Sequence, residues 1–395
     1  MAVYLDCAAT APVDSRVQRE VMTYLHVEFG NAGSRHHGFG ARARSAVEKA
    51  RVRVAALVAA TRGEIIFTSG ATESNNLALL GLAEHGAETG RTHLVSTRIE
   101  HKSVLEPLQA LSARGFEVTL VAPEAGGWVD PQSILEAVRE DTLLVSVMQV
   151  NNETGVIQPI REIARLLRNH PAYLHVDAAQ GFGKETAPLR DRRIDLISIS
   201  GHKIYAPKGI GALVTRRRDG QRPPLTPLMH GGGQELGLRP GTLPVPLIAG
   251  LGKASELAMM EHEERNAACR YFKKVLLKKL QPLKPVFNGE LDRTVPQIVN
   301  LTFPGIDSEE AIEAVSRVAA ISNGSACTST SESCSHVLSA QGLDEARMEG
   351  ALRLSWCHLT SQPDWGGFIR AIESIPVAEH PGRSPAIGIG QAGAV

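Results

Sequence analysis

The sequence predicts an α/β protein, with a large domain built on a mostly parallel central sheet and a smaller α+β domain. Three observations lead there. From residue 60 to 215, apolar runs of strand length alternate with tight turns and helix-forming segments. Polar residues gather where those runs end, which is where open parallel sheets bind ligands. A chain of 395 residues also exceeds one ordinary core, so a second domain is expected.

Residues 1–14 read as an extended arm turning at Pro12. Helical spacing follows in SRVQREVMTYL and GARARSAVEKARVRVAALV, joined by FGNAGSRHHGFG. That loop reads either as a plain helix connection or as a lid over a site. Glu64–Thr68 reads as a strand, Ser69 to Thr72 as a tight turn, and Glu73 onward as a helix. The free amides of Ala71 and Thr72 at that helix start, with the Thr72 hydroxyl, suit an anion. Simple N-capping by Ser69 or Thr72 is the plainer alternative.

HLVSTRIEH reads as a strand ending at His101, followed by a helix over Val104–Ala113. His101 is placed to stack on a flat ring or to move protons, although a lone histidine is more often structural. Leu143–Val150 reads as a buried strand delivering Asn151, Asn152 and Glu153, and IREIARLLRNH as an amphipathic helix. Tyr173–Val176 is a short strand with Asp177 at its end and Gln180 three residues on. A carboxylate there suits a protonated pyridine nitrogen, and a helix N-cap aspartate is its plainer reading.

The strand run from Ile194 to Ser200 ends in Gly201, His202 and Lys203. A lysine at the end of a buried strand is an odd place for a solvated charge. Desolvation lowers an amine pKa, and the neutral amine forms a Schiff base with an aldehyde. Taken alone, the segment reads nearly as well as a surface turn. The joint placement of Thr72, His101, Asn152, Asp177, Gln180, His202 and Lys203 at strand ends favours a site.

Residues 216–228 form a basic, proline-containing connection, whose RRR run is expected to be a solvated turn. HGGGQELGLRPGTLPV is glycine-rich but is neither a Walker A nor a GxGxxG after a strand, so it is not read as a nucleotide loop. Residues 247–281 look like one long helical connector. Residues 282–375 alternate strands (QIVNLTF, AAIS) with helices (SEEAIEAVSRV, DWGGFIRAIESI). In NGSACTSTSESCSH, Cys327 sits among small polar residues and reads as an exposed, mobile nucleophile, with Cys334 structural. Arg353 occupies a strand-like position suited to bidentate capture of a carboxylate. Cys357 reads as core. The expected division is a large domain over 15–255, a small domain over 1–14 and 256–378 carrying the cysteine loop, and a flexible tail over 379–395.

Composition excludes some function classes. Lys+Arg and Asp+Glu both number 42, which argues against a direct nucleic-acid or membrane-surface binder. No apolar run approaches membrane-spanning length, and the N-terminal residues lack a secretory pattern. The five cysteines show no paired zinc spacing, so no metal is expected, and free thiols in a reducing cytoplasm are.

These motifs together resemble the cysteine desulfurases of the NifS/IscS family, among the class V aminotransferase-like enzymes of pyridoxal phosphate fold type I. The likeness runs from YLDCAATAPVD to about Ile375, through TSGATESNN, EHKSVL, VNNETGVIQPI, HVDAAQ, SGHKIYAPKGIGAL and GSACTS. The long cysteine loop resembles the IscS-like group. The resemblance implies pyridoxal 5′-phosphate as cofactor, with Lys203 as its Schiff-base lysine. Asp177 is implied at the pyridine nitrogen, His101 on the ring as proton shuttle, and Gln180 at the phenolic oxygen. Ala71, Thr72, Ser200 and His202 are implied at the phosphate, with Thr242 from the second subunit of a homodimer. Asn152 and Arg353 are implied at the substrate carboxylate. Cys327 is implied to take sulfur from L-cysteine, leaving L-alanine and a persulfide for an acceptor protein in iron–sulfur assembly, tRNA thiolation or DNA phosphorothioation, the last raising the possibility of a desulfurase dedicated to that system. A pyridoxal phosphate aminotransferase or lyase of the same fold is the nearest rival. The chain departs from the family pattern at Cys7, Cys334 and Cys357–His358.

Overall fold

The computed structural model describes residues 2–323 and 335–376. Its strands are β1 (Val3–Tyr4), β2 (Ile65–Thr68), β3 (His93–Thr97), β4 (Glu117–Val121), β5 (Thr142–Met148), β6 (Tyr173–Asp177), β7 (Leu196–Ser200), β8 (Gly211–Thr215), β9 (Val286–Phe287), β10 (Ile298–Thr302), β11 (Ala319–Ala320) and β12 (Ala351–Ser355). Seven of them form one sheet in the order β2-β8-β7-β6-β5-β3-β4. Every pair from β7 to β4 is parallel, and β8 runs against both β7 and β2. The connection from Ser200 to Gly211 is too short for a crossover helix, so β8 returns antiparallel.

Every residue of β5, β7 and β8 is buried, as expected of strands covered on both faces. Alternate residues feed opposite layers. Val145, Ile197 and Val214 pack with the helices Gly38–Leu57 and Val245–Met260. Leu144, Leu196 and Leu213 pack with the helices Ala71–Leu80 and Lys102–Ser112 on the other face. A separate core holds Phe272, Leu301, Leu352, Trp356 and Phe368. It lies against the antiparallel sheet β12-β10-β9, and the N-terminal arm adds Leu5 to it. The arm is fixed by β1, which pairs in parallel with β11.

Several boundaries differ from the sequence reading. β3 stops at Thr97, short of His101, and β5 stops at Met148. Glu100 explains both ends: its buried Oε1 accepts from Thr97 Oγ1 at 2.7 Å and from the Met148 amide at 2.9 Å. The helix expected over IREIARLLRNH covers only Ile160–Leu166. The RRR run is not a solvated turn: Arg216 is 1% exposed, and Arg218 pairs with buried Asp195 at 2.5 Å.

The single connector read over 247–281 is two helices, Val245–Met260 and His262–Leu280, broken at Glu261. Glu261 belongs to an ion network. Asp14 caps the helix Ser15–His26 and pairs with Arg16 Nη2 at 2.7 Å, while Arg16 and Arg265 both reach Glu261. The hydrogen bonds from Arg16 hold both carboxyls at about 2, below their ordinary range. Depressed carboxylates contribute stability above their unfolded pKa and lose it as pH falls through the folded value. The denaturation midpoint is therefore expected to be level near neutrality and to fall between about pH 4 and 2. Arg16→Met should flatten part of that acid limb, which parallel denaturant titrations of the two proteins would reveal.

Candidate active site

The carboxyl ends of β2, β5, β6 and β7 open onto one cavity of about 470 Å³. Ala71, Thr72, His101, Asn152, Asp177, Gln180, Ser200, His202, Lys203 and Arg353 line it. The sequence scattered these residues over the chain, and the parallel sheet gathers them.

At one end the backbone supplies donors. The helix Ala71–Leu80 begins at Gly70 with no side-chain cap, so its first amides face the cavity side of the turn. The turn lies close to β8: a Cβ on Gly211 would stand 2.6 Å from the Gly70 Cα and 2.4 Å from the Ile199 carbonyl. Only glycine fits that crossing. Beside it, His202 Nδ1 meets Thr10 Oγ1 at 3.1 Å. Burial, then the charges of Lys203 and Lys208, pull the His202 imidazole down to about 4, so it is neutral at pH 7.

A buried chain of hydrogen bonds crosses the middle. Asp177 Oδ2 accepts from Asn75 Nδ2 at 2.8 Å, and its Oδ1 from the Ala179 amide at 2.8 Å. Asn75 Nδ2 also donates to Ser103 Oγ at 2.8 Å, and that oxygen meets His101 Nδ1 at 2.8 Å. His101 caps the helix Lys102–Ser112, its Nδ1 accepting from the Ser103 amide at 3.1 Å. An Nδ1 that accepts leaves the proton of the neutral ring on Nε2.

Lys203 closes the opposite wall. Its Nζ donates to the Ala9 carbonyl at 2.7 Å and also to the Ala8 carbonyl. Gln180 Nε2 donates to the same Ala8 oxygen at 2.9 Å, and the buried Gln180 Oε1 has no partner among the described residues. The N-terminal arm was legible as extended, but its carbonyls carried no sequence signal for a role at the site. Asn75 and Ser103 were missed for a similar reason, since a buried amide within a helix reads as packing.

Arg353, 3% exposed, projects from β12. Its Nη2 donates to Asp6 Oδ1 at 2.8 Å and its Nη1 to the Asn152 carbonyl at 2.9 Å. These contacts hold the guanidinium against the cavity wall. Cys327 and Cys334 lie outside the described residues. The residues on either side of that segment flank the site. The Ser322 carbonyl accepts from the Arg353 amide at 2.6 Å, and Ser322 Oγ donates to Asp6 at 3.2 Å. Ser335 Oγ donates to Glu153 Oε2 at 2.5 Å, where burial pushes the Glu153 carboxyl up. Thr242 is exposed and does not line the cavity in this chain. Neither does FGNAGSRHHGFG, which joins the helices Ser15–His26 and Gly38–Leu57.

Comparison with known proteins agrees with this arrangement. The family described as aminotransferase class-V matches residues 3–364. The chain is 44% identical over 363 residues to the cysteine desulfurase IscS of Neisseria meningitidis serogroup C (strain 053442), covering 92% of this chain and 89% of that one. It is similar to the crystal structure of DndA from Streptomyces lividans, with 50% identity, a TM-score of 0.79, and coverage of 91% of this chain and 100% of that one. It is also similar to SspA in complex with cysteine, with 38% identity, a TM-score of 0.78, and coverage of 90% and 98%. The chain belongs to the aminotransferase class-V family and, within it, to the cysteine desulfurases of the NifS/IscS family.

Proposed function

We propose that this desulfurase works with pyridoxal 5′-phosphate held in the cavity at the strand ends, and that Cys327 takes the sulfur of L-cysteine as a persulfide. The observation that carries the cofactor is the donor set. A primary amine, a buried carboxylate and an uncapped helix start line one cavity, and the Gln180 Oε1 there has no partner among the described residues. These residues fit the cofactor's aldehyde, ring nitrogen and phosphate. Bound there, the group supplies an electron sink that weakens bonds near the substrate's α-carbon.

The chain's own residues do the rest. Lys203 would hold the cofactor through its aldehyde and would carry protons to and from the substrate. Asp177, fixed by Asn75 and the Ala179 amide, keeps a ring nitrogen protonated. His101 would offer its Nε2 proton to the bound group, and Gln180 would steady the phenolic oxygen. Ala71, Thr72, Ser200 and His202 hold the phosphate, with Thr242 of a second copy in a homodimer. Neutral His202 is suited to accept or donate a hydrogen bond without adding charge. Arg353 and Asn152 take the substrate carboxylate. Asp6 shares the guanidinium and keeps its fork aimed.

Support for Cys327 comes from either side of its segment: Ser322 contacts Asp6 and Arg353, and Ser335 contacts Glu153 beside Asn152. The Cys327 thiolate would attack the substrate sulfur, an S–S bond forming as the carbon–sulfur bond breaks; the electron pair of that bond stays with the β-carbon, which takes a proton to become the methyl group of alanine. An acceptor protein then removes the persulfide sulfur, for iron–sulfur assembly, tRNA thiolation or DNA phosphorothioation. A reducing cytoplasm is the compartment that keeps such thiols free.

The test is product analysis. Wild-type enzyme and L-cysteine should give alanine together with sulfide or persulfide. Cys327→Ser should keep the cofactor's absorbance and give neither product. Cysteine turnover to a keto acid, or unchanged alanine output from Cys327→Ser, would favour an aminotransferase or lyase instead. Sulfur-labelled cysteine with mass spectrometry of the recipients identifies the acceptor.

The carboxylate role has its own expected result. Arg353→Lys keeps a cation but loses the planar fork. Its KM for L-cysteine should rise roughly tenfold or more, the scale of one charge-assisted hydrogen bond. Steady-state kinetics at matched cofactor occupancy would show it.

A further inference from the structure

Beside the active-site cavity lies a cluster of thiols that the desulfurase chemistry leaves unused. Cys7, Cys269 and Cys357 are free and buried. Cys7 and Cys357 pack together with Ala11 and Tyr205. They meet because the N-terminal arm runs alongside β12. Asp6 bridges to Ser355 in parallel, the Cys7 amide donates to the Ser355 carbonyl at 3.1 Å, and the Ala8 amide donates to Ser355 Oγ at 2.8 Å.

The two sulfurs have unequal surroundings. Thr360 Oγ1 donates to the Cys357 sulfur at 3.5 Å, and Cys7 packs beside Cys357 in the same buried cluster. Lys184 neighbours all three thiols, and burial pulls its amine pKa down. Donors favour a thiolate, and the Thr360 hydroxyl is such a donor to the Cys357 sulfur. The Cys357 thiol is pulled down, first by the Cys7 hydrogen bond, while Cys7 is pushed up by the same bond and by burial. A cysteine buried only as a small apolar group has no such donor set.

We propose that Cys7 and Cys357 form an oxidisable dithiol pair, in which Cys357 reacts with a peroxide and Cys7 resolves the product into a disulfide. The Cys357 thiolate attacks one oxygen of hydrogen peroxide. The O–O bond breaks, hydroxide leaves, and the sulfur loses two electrons to become a sulfenic acid. The Cys7 thiol then forms the S–S bond, and its proton leaves with the sulfenic hydroxyl as water. Hydrogen peroxide is small and uncharged, which suits a buried target.

The disulfide ties the arm to the chain after β12, one residue before Ala8. The Ala8 carbonyl accepts from both Lys203 Nζ and Gln180 Nε2. The thiol pair therefore couples oxidation to the wall that holds the active-site lysine.

The cofactor-loaded enzyme is treated with hydrogen peroxide, unfolded in an alkylating reagent, and mapped by mass spectrometry. The Cys7 and Cys357 peptides are expected to vanish from the alkylated pool and to appear as one cross-linked species that dithiothreitol reverses. Cys269 should remain alkylated. The Cys327→Ser enzyme should give the same cross-link, and Cys357→Ser should give none. A serine in this packed site can itself unfold the chain, so the wild-type map is decisive without that variant. Full alkylation of Cys7 and Cys357 after a dose that has oxidised Cys327 overturns the proposal, as does a link from either one to Cys269 or Cys327.

Discussion

Lys203→Ala is expected to lower alanine formation from L-cysteine by roughly 10⁴-fold, the upper range for removing a group that carries the reacting proton. The residue stands just past the carboxyl end of β7, and the Ala8 and Ala9 carbonyls hold its amine within the cavity. Lys203→Arg should fail nearly as badly. A guanidinium stays protonated and makes a poor nucleophile, so keeping the charge does not keep the chemistry. The check is alanine output at matched protein, together with the mass of the Lys203 peptide after borohydride reduction. Wild-type peptide should gain the mass of the reduced cofactor. An unmodified Lys203 peptide in active enzyme, or an active Lys203→Ala enzyme, would remove the lysine from its role.

Arg216→Met carries the largest expected effect on stability. The guanidinium donates to the carbonyls of Leu189 at 2.6 Å and Ile194 at 3.2 Å, and also to those of Asp191 and Val58. Burial pulls its pKa down to about 10, so it remains charged at neutral pH. Deleting it strands those acceptors where water cannot replace it. The cost should be about 3–5 kcal/mol, the range for removing one partner of a buried charged contact. The denaturant midpoint should fall with an unchanged slope. Exposed Arg217, the next residue, serves as the control. Arg217→Met should shift stability by no more than about 0.5 kcal/mol. Equal effects from the two substitutions would show that the carbonyl cage contributes little.

That contrast shows where sequence reading failed. Three consecutive arginines after β8 look solvated, because charge runs usually are. Their alternation follows the strand that precedes them: Arg216 points inward, Arg217 outward. Period-two alternation was visible, but no local pattern told which face held waiting carbonyls. Likewise, HLVSTRIEH looked like strand to its end. Glu100, tying Thr97 to Met148, ended β3 through a contact that spans two strands. The glycine-rich FGNAGSRHHGFG kept both of its readings in sequence; in this chain it joins two helices and its residues do not line the cavity.

The chain's order of apolar runs and turns was enough to specify the parallel α/β sheet, since strand burial and period are local properties of the sequence. The same order put Thr72, His101, Asn152, Asp177 and Lys203 at or just past strand ends, and so named part of the cavity's lining before any coordinates. Only the folded chain brought the arm to it. The carbonyls of Ala8 and Ala9 meet Lys203 across nearly two hundred residues, and Asp6 meets Arg353 across 347. Backbone carbonyls are alike in every sequence, so their partners are chosen by packing between distant segments and not by residue type.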